Sequence, residues 1–282
     1  MNCTGGNKLS WLISIDGLDC SGKETFAKML CKFITTNISS TNPDKRSNPD
    51  KRNIKVHLLS FPDYNNKTGK KLQEMLKLPV SKRNQDDLSR LFRENRKEVL
   101  DKLELAPYNI LIFDRFITSN IIYGMLPHMI KSSMTRTQAT DMAFYKLLKE
   151  AIAELEYLDI WSMDRAVIFS RFGSKASARK HDELLAKKEN KDSNETPNIQ
   201  ARLSKIIDMY LTEDVIEEVC VQQHNDTDTS DIVTRLCIDE QFRTNVKIGK
   251  TFNKTRCMQL IGEIFPVIKI YLECFGAGED GE

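Results

Sequence analysis

The stretch ISIDGLDCSGKETFAKML, Ile13 to Leu30, decides how the rest of the chain is read. An apolar run meets a glycine-bearing turn, and the turn opens into residues at helical spacing. From Gly17 to Thr25 the pattern comes close to G-x-x-x-x-G-K-S/T, a loop whose successive backbone N–H groups cradle phosphate oxygens at a helix N-terminus. Gly17, Leu18, Asp19, Cys20, Ser21, Gly22, Lys23, Glu24 and Thr25 are therefore the candidate phosphate-binding residues. Lys23 is the movable positive charge for the β- and γ-phosphates of ATP. Glu24 stands where a hydroxyl is expected. A bare carboxylate about 4 Å from a phosphate charge costs roughly 4 kcal/mol at an effective dielectric near ~20. Two arrangements relieve that cost. Glu24 can hold Mg²⁺ between itself and the phosphates, or it can turn outward in the helix's first turn and pair with Lys28 four residues on.

Working outward, five apolar runs punctuate the chain: LSWLISID (9–16), KVHLLSF (55–61), NILIFD (109–114), RAVIFS (165–170) and DIVTRLCID (231–239). Residues 86–104, 137–157, 199–223 and 254–275 carry apolar positions at helical spacing. Strands alternating with helices imply right-handed β-α-β units and a parallel sheet, hence an α/β fold. Two polar stretches fall outside that scheme. Residues 41–53 hold a tandem Asn-Pro-Asp-Lys-Arg and read as an inserted surface loop. Residues 180–198 are polar, Lys-rich and expected to be mobile. The acidic end, 276–282, reads as a flexible tail.

At 282 residues the chain fits one large domain, and 40% hydrophobic residues can fill its core. Lys+Arg 42 against Asp+Glu 40 gives no reason to invoke nucleic acid or an anionic membrane as partner. The longest uncharged run, Phe116 to Ile130, is too short to span a bilayer. Leu9 to Ile15 leads straight into Asp16 and Asp19 and reads as a buried strand, not a signal peptide. Seven cysteines without a C-x-x-C pair, and four scattered histidines, suggest free thiols in a reducing cytoplasm and no zinc site.

Three further motifs carry chemistry. FDRFITSNIIYG closes the third apolar run, so Asp114 and Arg115 sit where open α/β sheets bind ligands. Asp114 suits a magnesium–water shell and Arg115 a forked contact to a phosphate. FPDYNNKTGKKL follows the second run. In LFRENRKEVL, Phe92 and Arg96 lie four apart on one helix face, able to stack on a base and to bond its edge or phosphate.

In this order the motifs resemble the thymidylate kinase family, over about Ile13 to Tyr123 and more faintly to the C-terminus. The resemblance implies a P-loop NTPase-type three-layer fold: a five-stranded parallel sheet flanked by helices, with a mobile lid over residues 171–198. It implies transfer of the γ-phosphoryl of Mg·ATP to a deoxypyrimidine monophosphate, dTMP or a 5-substituted dUMP, by a cytoplasmic homodimer. On the same basis Asp19 would approach the sugar 3′-hydroxyl and Arg115 the acceptor phosphate. Phe92 would stack on the pyrimidine, Arg96 would bond the base or its phosphate, and Tyr123 would exclude a 2′-hydroxyl, with Phe61 and Ser119 completing the acceptor site. Asp114 would serve the metal or the acceptor. Arg179, and after it Arg171, would bring transition-state charge from the lid, because the loop interior from Leu18 to Ser21 has no arginine.

The chain departs from the family at Tyr64, where an arginine is frequent, and at Ser170, where an aspartate is usual. At Gly124 a larger polar residue is usual, and glycine there is expected to loosen the base pocket. A deoxynucleoside kinase shares this fold but typically has Glu-Arg-Ser at the Asp114-Arg115-Phe116 position. A non-catalytic nucleotide-binding protein is the alternative from a different class.

Overall fold

The computed structural model describes residues 11–40, 55–103, 109–158, 164–172, 182–183, 185–187, 194–211, 246–248, 258 and 261–262. Strand β1 (Trp11–Gly17) leads through the glycine-bearing turn into helix α1 (Lys23–Ser40). Strand β2 (Lys55–Ser60) is followed by α2 (Lys67–Lys77), a 3-10 turn at Val80–Lys82 and α3 (Gln85–Leu100). Strand β3 (Asn109–Asp114) precedes α4 (Ile117–Lys131) and α5 (Gln138–Tyr157). Strand β4 (Asp164–Phe172), α6 (Pro197–Tyr210) and β5 (Val246–Ile248) complete the described elements.

All strand pairs are parallel, in the order β2-β3-β1-β4-β5. β1 lies between β3 and β4, so the chain reverses its direction across the sheet at the carboxyl end of β1. In an open α/β sheet that end is the crevice where ligands bind. The fifth apolar run expected as a strand, 231–239, lies outside the described residues, and the described fifth strand is Val246–Ile248. The 41–53 loop, the 276–282 tail and most of the 171–198 segment also lie outside them.

Period-two alternation makes the sheet a divider between two cores. Ile13, Ile15, Ile110 and Ile112 face α1, where Phe26, Ala27, Leu30 and Ile34 cover them. Leu12, Leu111 and Phe113 face the other way, into a larger cluster with Ile121, Ile122 and Met125 of α4, Phe144 and Leu148 of α5, and Leu203 and Ile207 of α6. Each such side chain, fully buried, contributes about 1.5–3 kcal/mol. A satellite cluster (Leu72, Leu76, Leu88, Leu91) holds α2 on α3.

Helix starts follow local chemistry. Asn66 accepts from Gly69 N–H, Asn84 from Asp86 and Asp87 N–H, and Thr196 from Ile199 N–H ahead of a proline at the first helical position. Helix α4 has no cap of its own. Asp16, on β1, accepts from Phe116 N–H at 3.2 Å, from Thr118 Oγ1 at 3.2 Å and from Ser119 Oγ. A buried carboxylate on one strand thus caps the helix that leaves its neighbour.

Gly124 was expected to loosen the base pocket, and the structure corrects this. A Cβ at Gly124 would meet Leu147 Cδ2 at 2.8 Å, so the glycine lets α4 approach α5 and faces that helix. At Gly69 a Cβ would lie 1.8 Å from the Asp63 carbonyl oxygen, where the loop after β2 crosses the start of α2.

Candidate active site

The turn after β1 is wound by left-handed backbone at Gly17 (φ 126°), Cys20 (φ 54°) and Gly22 (φ 88°). Glycine takes such angles without steric cost, whereas Cys20 holds one with a side chain. Lys23 is buried, and its Nζ donates to the Leu18 carbonyl across the loop. Burial, and then the Arg115 charge, push its pKa down to about 8, against opposing pulls from Asp19, Asp114 and Asp16. Glu24 and Thr25 are exposed, and Glu24 Oε1 accepts from Lys28 Nζ at 2.5 Å. Of the two arrangements open to Glu24, the described geometry is the outward ion pair. Leu18 and Ser21 are buried within the loop, and Asp19 and Cys20 are half-buried.

At the end of β3 the backbone turns sharply. Arg115 has φ 69°, a conformation costing on the order of 1–3 kcal/mol for a non-glycine residue. Its N–H is bonded to the Ile15 carbonyl at 3.0 Å. That turn sends the side chain back over the phosphate loop, where Nη1 donates to the Gly17 carbonyl at 3.2 Å and Nη2 pairs with Asp19. Asp114 has one carboxylate oxygen, Oδ1, buried without a hydrogen-bond partner. Burial raises its pKa, opposed by the Lys23 and Arg115 charges. A carboxylate oxygen in that position, with no hydrogen-bond donor on it, fits a magnesium–water shell.

Asp19 is the centre of the site. Oδ1 takes Arg115, while Oδ2 accepts from Tyr123 Oη at 2.9 Å and from Gln200 Nε2 at 2.7 Å. The Asp19 N–H donates to Gln200 Oε1 at 2.8 Å, so one amide grips both ends of the residue. The Arg115 guanidinium lies 5.6 Å from the Tyr123 ring centroid. Lys23, Asp19, Arg115, Tyr123 and Asp114 are thus brought together.

On α3, the Arg96 guanidinium lies 5.9 Å from the ring centroids of both Phe92 and Phe116. Arg96 is 2% exposed, donates from Nε to Glu154 Oε1 at 2.5 Å, and keeps a buried Nη2 without a hydrogen-bond partner. Asn95 clasps the loop after β2: its Oδ1 accepts from Asp63 N–H and its amide donates to the Asp63 carbonyl, both at 2.9 Å.

Several expected site residues are engaged elsewhere or lie outside the described residues. Phe61 is core, edge-on to Phe113 at 5.3 Å, with its N–H on the Asp114 carbonyl at 2.9 Å. Ser119 is buried and spends its hydroxyl on Asp16. Arg171, expected as the first lid residue, belongs to β4, where its backbone registers with Lys247. Arg179 lies outside the described residues. Two functional candidates were missed. Glu154 carried a readable signal, an acid among the buried positions of α5, whereas Gln200, 181 residues from Asp19, carried none.

The chain is similar to known proteins in sequence and in fold. The family model described as thymidylate kinase matches residues 15–155, half of the chain, from β1 to the end of α5. A viral protein named "Putative thymidylate kinase 251L", from Invertebrate iridescent virus 6, is 28% identical over 116 residues. That match covers 40% of this chain and 47% of the relative, so the chain spans about half the length of the curated relative it matches. Among solved structures, the thymidylate kinase of Candida albicans, described as having broad substrate specificity, superposes with a TM-score of 0.51 at 20% identity. It covers 93% of this chain and 94% of its own, a likeness of fold. The Ehrlichia chaffeensis thymidylate kinase covers 56% of this chain at a TM-score of 0.31 and 20% identity. With the family match lying over the same residues that build the phosphate loop, the Asp114-Arg115 turn and the Phe92–Arg96 face, the chain belongs to the thymidylate kinase family.

Proposed function

We propose that this protein transfers the γ-phosphoryl group of Mg·ATP to a deoxypyrimidine nucleoside monophosphate, dTMP or a 5-substituted dUMP, giving the diphosphate. The observation that carries this reading is Arg96 Nη2, a buried guanidinium nitrogen without a hydrogen-bond partner, one helical turn from Phe92. A buried donor without a partner is costly, and an acceptor atom on a bound base or phosphate would satisfy it.

The family resemblance supplies the roles, and the grouping of Lys23, Asp19, Arg115 and Tyr123 supports them. The loop N–H groups and Lys23 hold the donor phosphates, and Arg115, steered by Asp19, holds the acceptor phosphate. Asp19 faces the sugar 3′-hydroxyl, Tyr123 closes the 2′ side, and Phe92 stacks on the pyrimidine. Asp114 would hold magnesium, whose chemistry is to offset charge on the phosphates. Arg179 is the first choice for transition-state charge, with Arg171 second. Phosphoryl transfer of this type needs positioning and charge neutralisation more than covalent help. Near-balanced charge supports neither a nucleic-acid nor a membrane partner, and no helix among the described residues is long and apolar enough to cross a membrane. Family likeness supports a cytoplasmic homodimer.

The test is a coupled ADP-release assay across dTMP, dUMP, 5-substituted dUMPs, dCMP, UMP and thymidine. Turnover of dTMP or a 5-substituted dUMP well above UMP and thymidine is expected. Thymidine outrunning dTMP would make the protein a deoxynucleoside kinase, and ATP binding without turnover would make it a non-catalytic binder.

A further inference from the structure

Arg83 follows the 3-10 turn between α2 and α3 and has no place in the phosphate loop or among the acceptor residues. Its guanidinium nevertheless makes three directed bonds. Nη2 donates to the Leu76 carbonyl at 2.7 Å and Nε to the Leu78 carbonyl at 2.9 Å, closing the end of α2, where carbonyls lack helical partners. The third bond leaves the helix pair altogether: Nη1 donates to Asn194 Oδ1 at 3.0 Å, 111 residues away.

Asn194 is 4% exposed, and its backbone carbonyl accepts from Gln200 Nε2 at 3.1 Å. Gln200 in turn holds Asp19 by the two-point grip described above. Because one amide both donates to and accepts from the same residue, its plane fixes where the Asp19 carboxylate points. The other Asp19 oxygen carries Arg115. A continuous line of hydrogen bonds therefore runs from the α2–α3 pair, which bears Phe92 and Arg96, to the carboxylate that aims Arg115.

We propose that Arg83 and Asn194 are positioning residues that set the α2–α3 pair against the phosphate loop through Gln200 and Asp19. The catalytic part of this inference rests on the kinase reading given above. Base contacts sit at one end of the line and phosphate contacts at the other, so breaking its middle should misplace reacting groups without removing a nucleotide contact. The loss then falls on turnover, not on nucleotide affinity.

Asn194→Ala separates this role from simple helix capping, since it removes the Arg83 link while leaving both Arg83 bonds on α2. The expected result is that Asn194→Ala and Arg83→Ala each lower kcat about tenfold, with both KM values within about twofold. The double variant should be no worse than either single one. Turnover within twofold of wild type in both single variants, or a double loss equal to the product of the two, would overturn the relay. Hydrogen exchange on the free protein supplies a readout independent of activity. In Asn194→Ala, amides of residues 17–23 should exchange several-fold faster. An increase confined to residues 76–83 and 194–200 would leave Arg83 as a cap on α2 and refute the proposal. A wild-type chain that turns over nothing defeats the kinase reading instead, and the exchange pattern still decides the relay.

Discussion

Lys28 Nζ lies 2.5 Å from Glu24 Oε1, one turn further along α1, with both side chains exposed. The residue that breaks the phosphate-loop pattern is therefore occupied at the helix surface, where an acid in the first turn also meets the favourable end of the helix dipole. Glu24→Ser should keep turnover within about tenfold, a barrier change of about 1.4 kcal/mol. Glu24→Gln should leave the magnesium dependence of the rate unchanged. A raised metal requirement in Glu24→Gln would place its carboxylate on the metal.

Lys23, with its pKa pushed down to about 8, predicts a proton linkage. A bound phosphate stabilises the charged amine and raises that pKa, so binding takes up a proton wherever the free lysine is neutral and the bound one charged. ATP affinity should be flat below about pH 8 and fall up to tenfold per pH unit above it. Calorimetry near pH 8 in two buffers of different ionisation enthalpy should detect fractional proton uptake, and Lys23→Ala should abolish both the uptake and turnover. For the free protein the sign is the reverse. The unfolded chain keeps the proton up to its ordinary 10.5, so stability should rise by up to about 1.4 kcal/mol per unit between pH 8 and 10.5.

Glu154 on α5 is the counter-ion of Arg96, and both are almost fully buried. Removing one member of such a pair leaves an uncompensated charge, typically at a cost of about 3–5 kcal/mol. Glu154→Ala should lower the midpoint of thermal unfolding markedly and raise the KM for the acceptor more than that for ATP. Equal changes in the two KM values would separate Arg96 from the acceptor.

Gly124→Ala places a methyl against Leu147, a flexible side chain, and over-packing of that kind costs about 1–3 kcal/mol. Because this residue faces α5, the ratio of kcat/KM for dTMP to that for a 5-substituted dUMP should not move. A changed ratio would return Gly124 to the base pocket.

Strands β1 and β3 were legible because a parallel strand covered on both faces leaves a short apolar run bounded by polar residues, as NILIFD does at β3. Helix α4 was not. It buries Ile117, Ile121, Ile122, Met125, Leu126 and Met129 along with Thr118 and Ser119, so no polar stripe marks its period, and Pro127 reads as a breaker. Helix α2 was missed for the opposite reason: it buries just Gly69, Leu72 and Leu76 among exposed lysines. The loop and the Asp114-Arg115 turn could be read because local backbone builds them. Glu154 and Gln200 meet their partners 58 and 181 residues away, and packing alone brings them there.

The Asp16 carboxylate gives the start of α4 an unusual time constant. First-turn amides of a helix ordinarily lack an intrahelical acceptor and exchange with solvent early. Here Phe116 N–H is held inside the protein by a neighbouring strand, and Ser119 N–H bonds the Phe116 carbonyl at 3.1 Å. The Phe116 proton can leave when β1 and α4 part, not when the helix end frays. The stretch that carries Arg115 into the site therefore shares the lifetime of the central sheet.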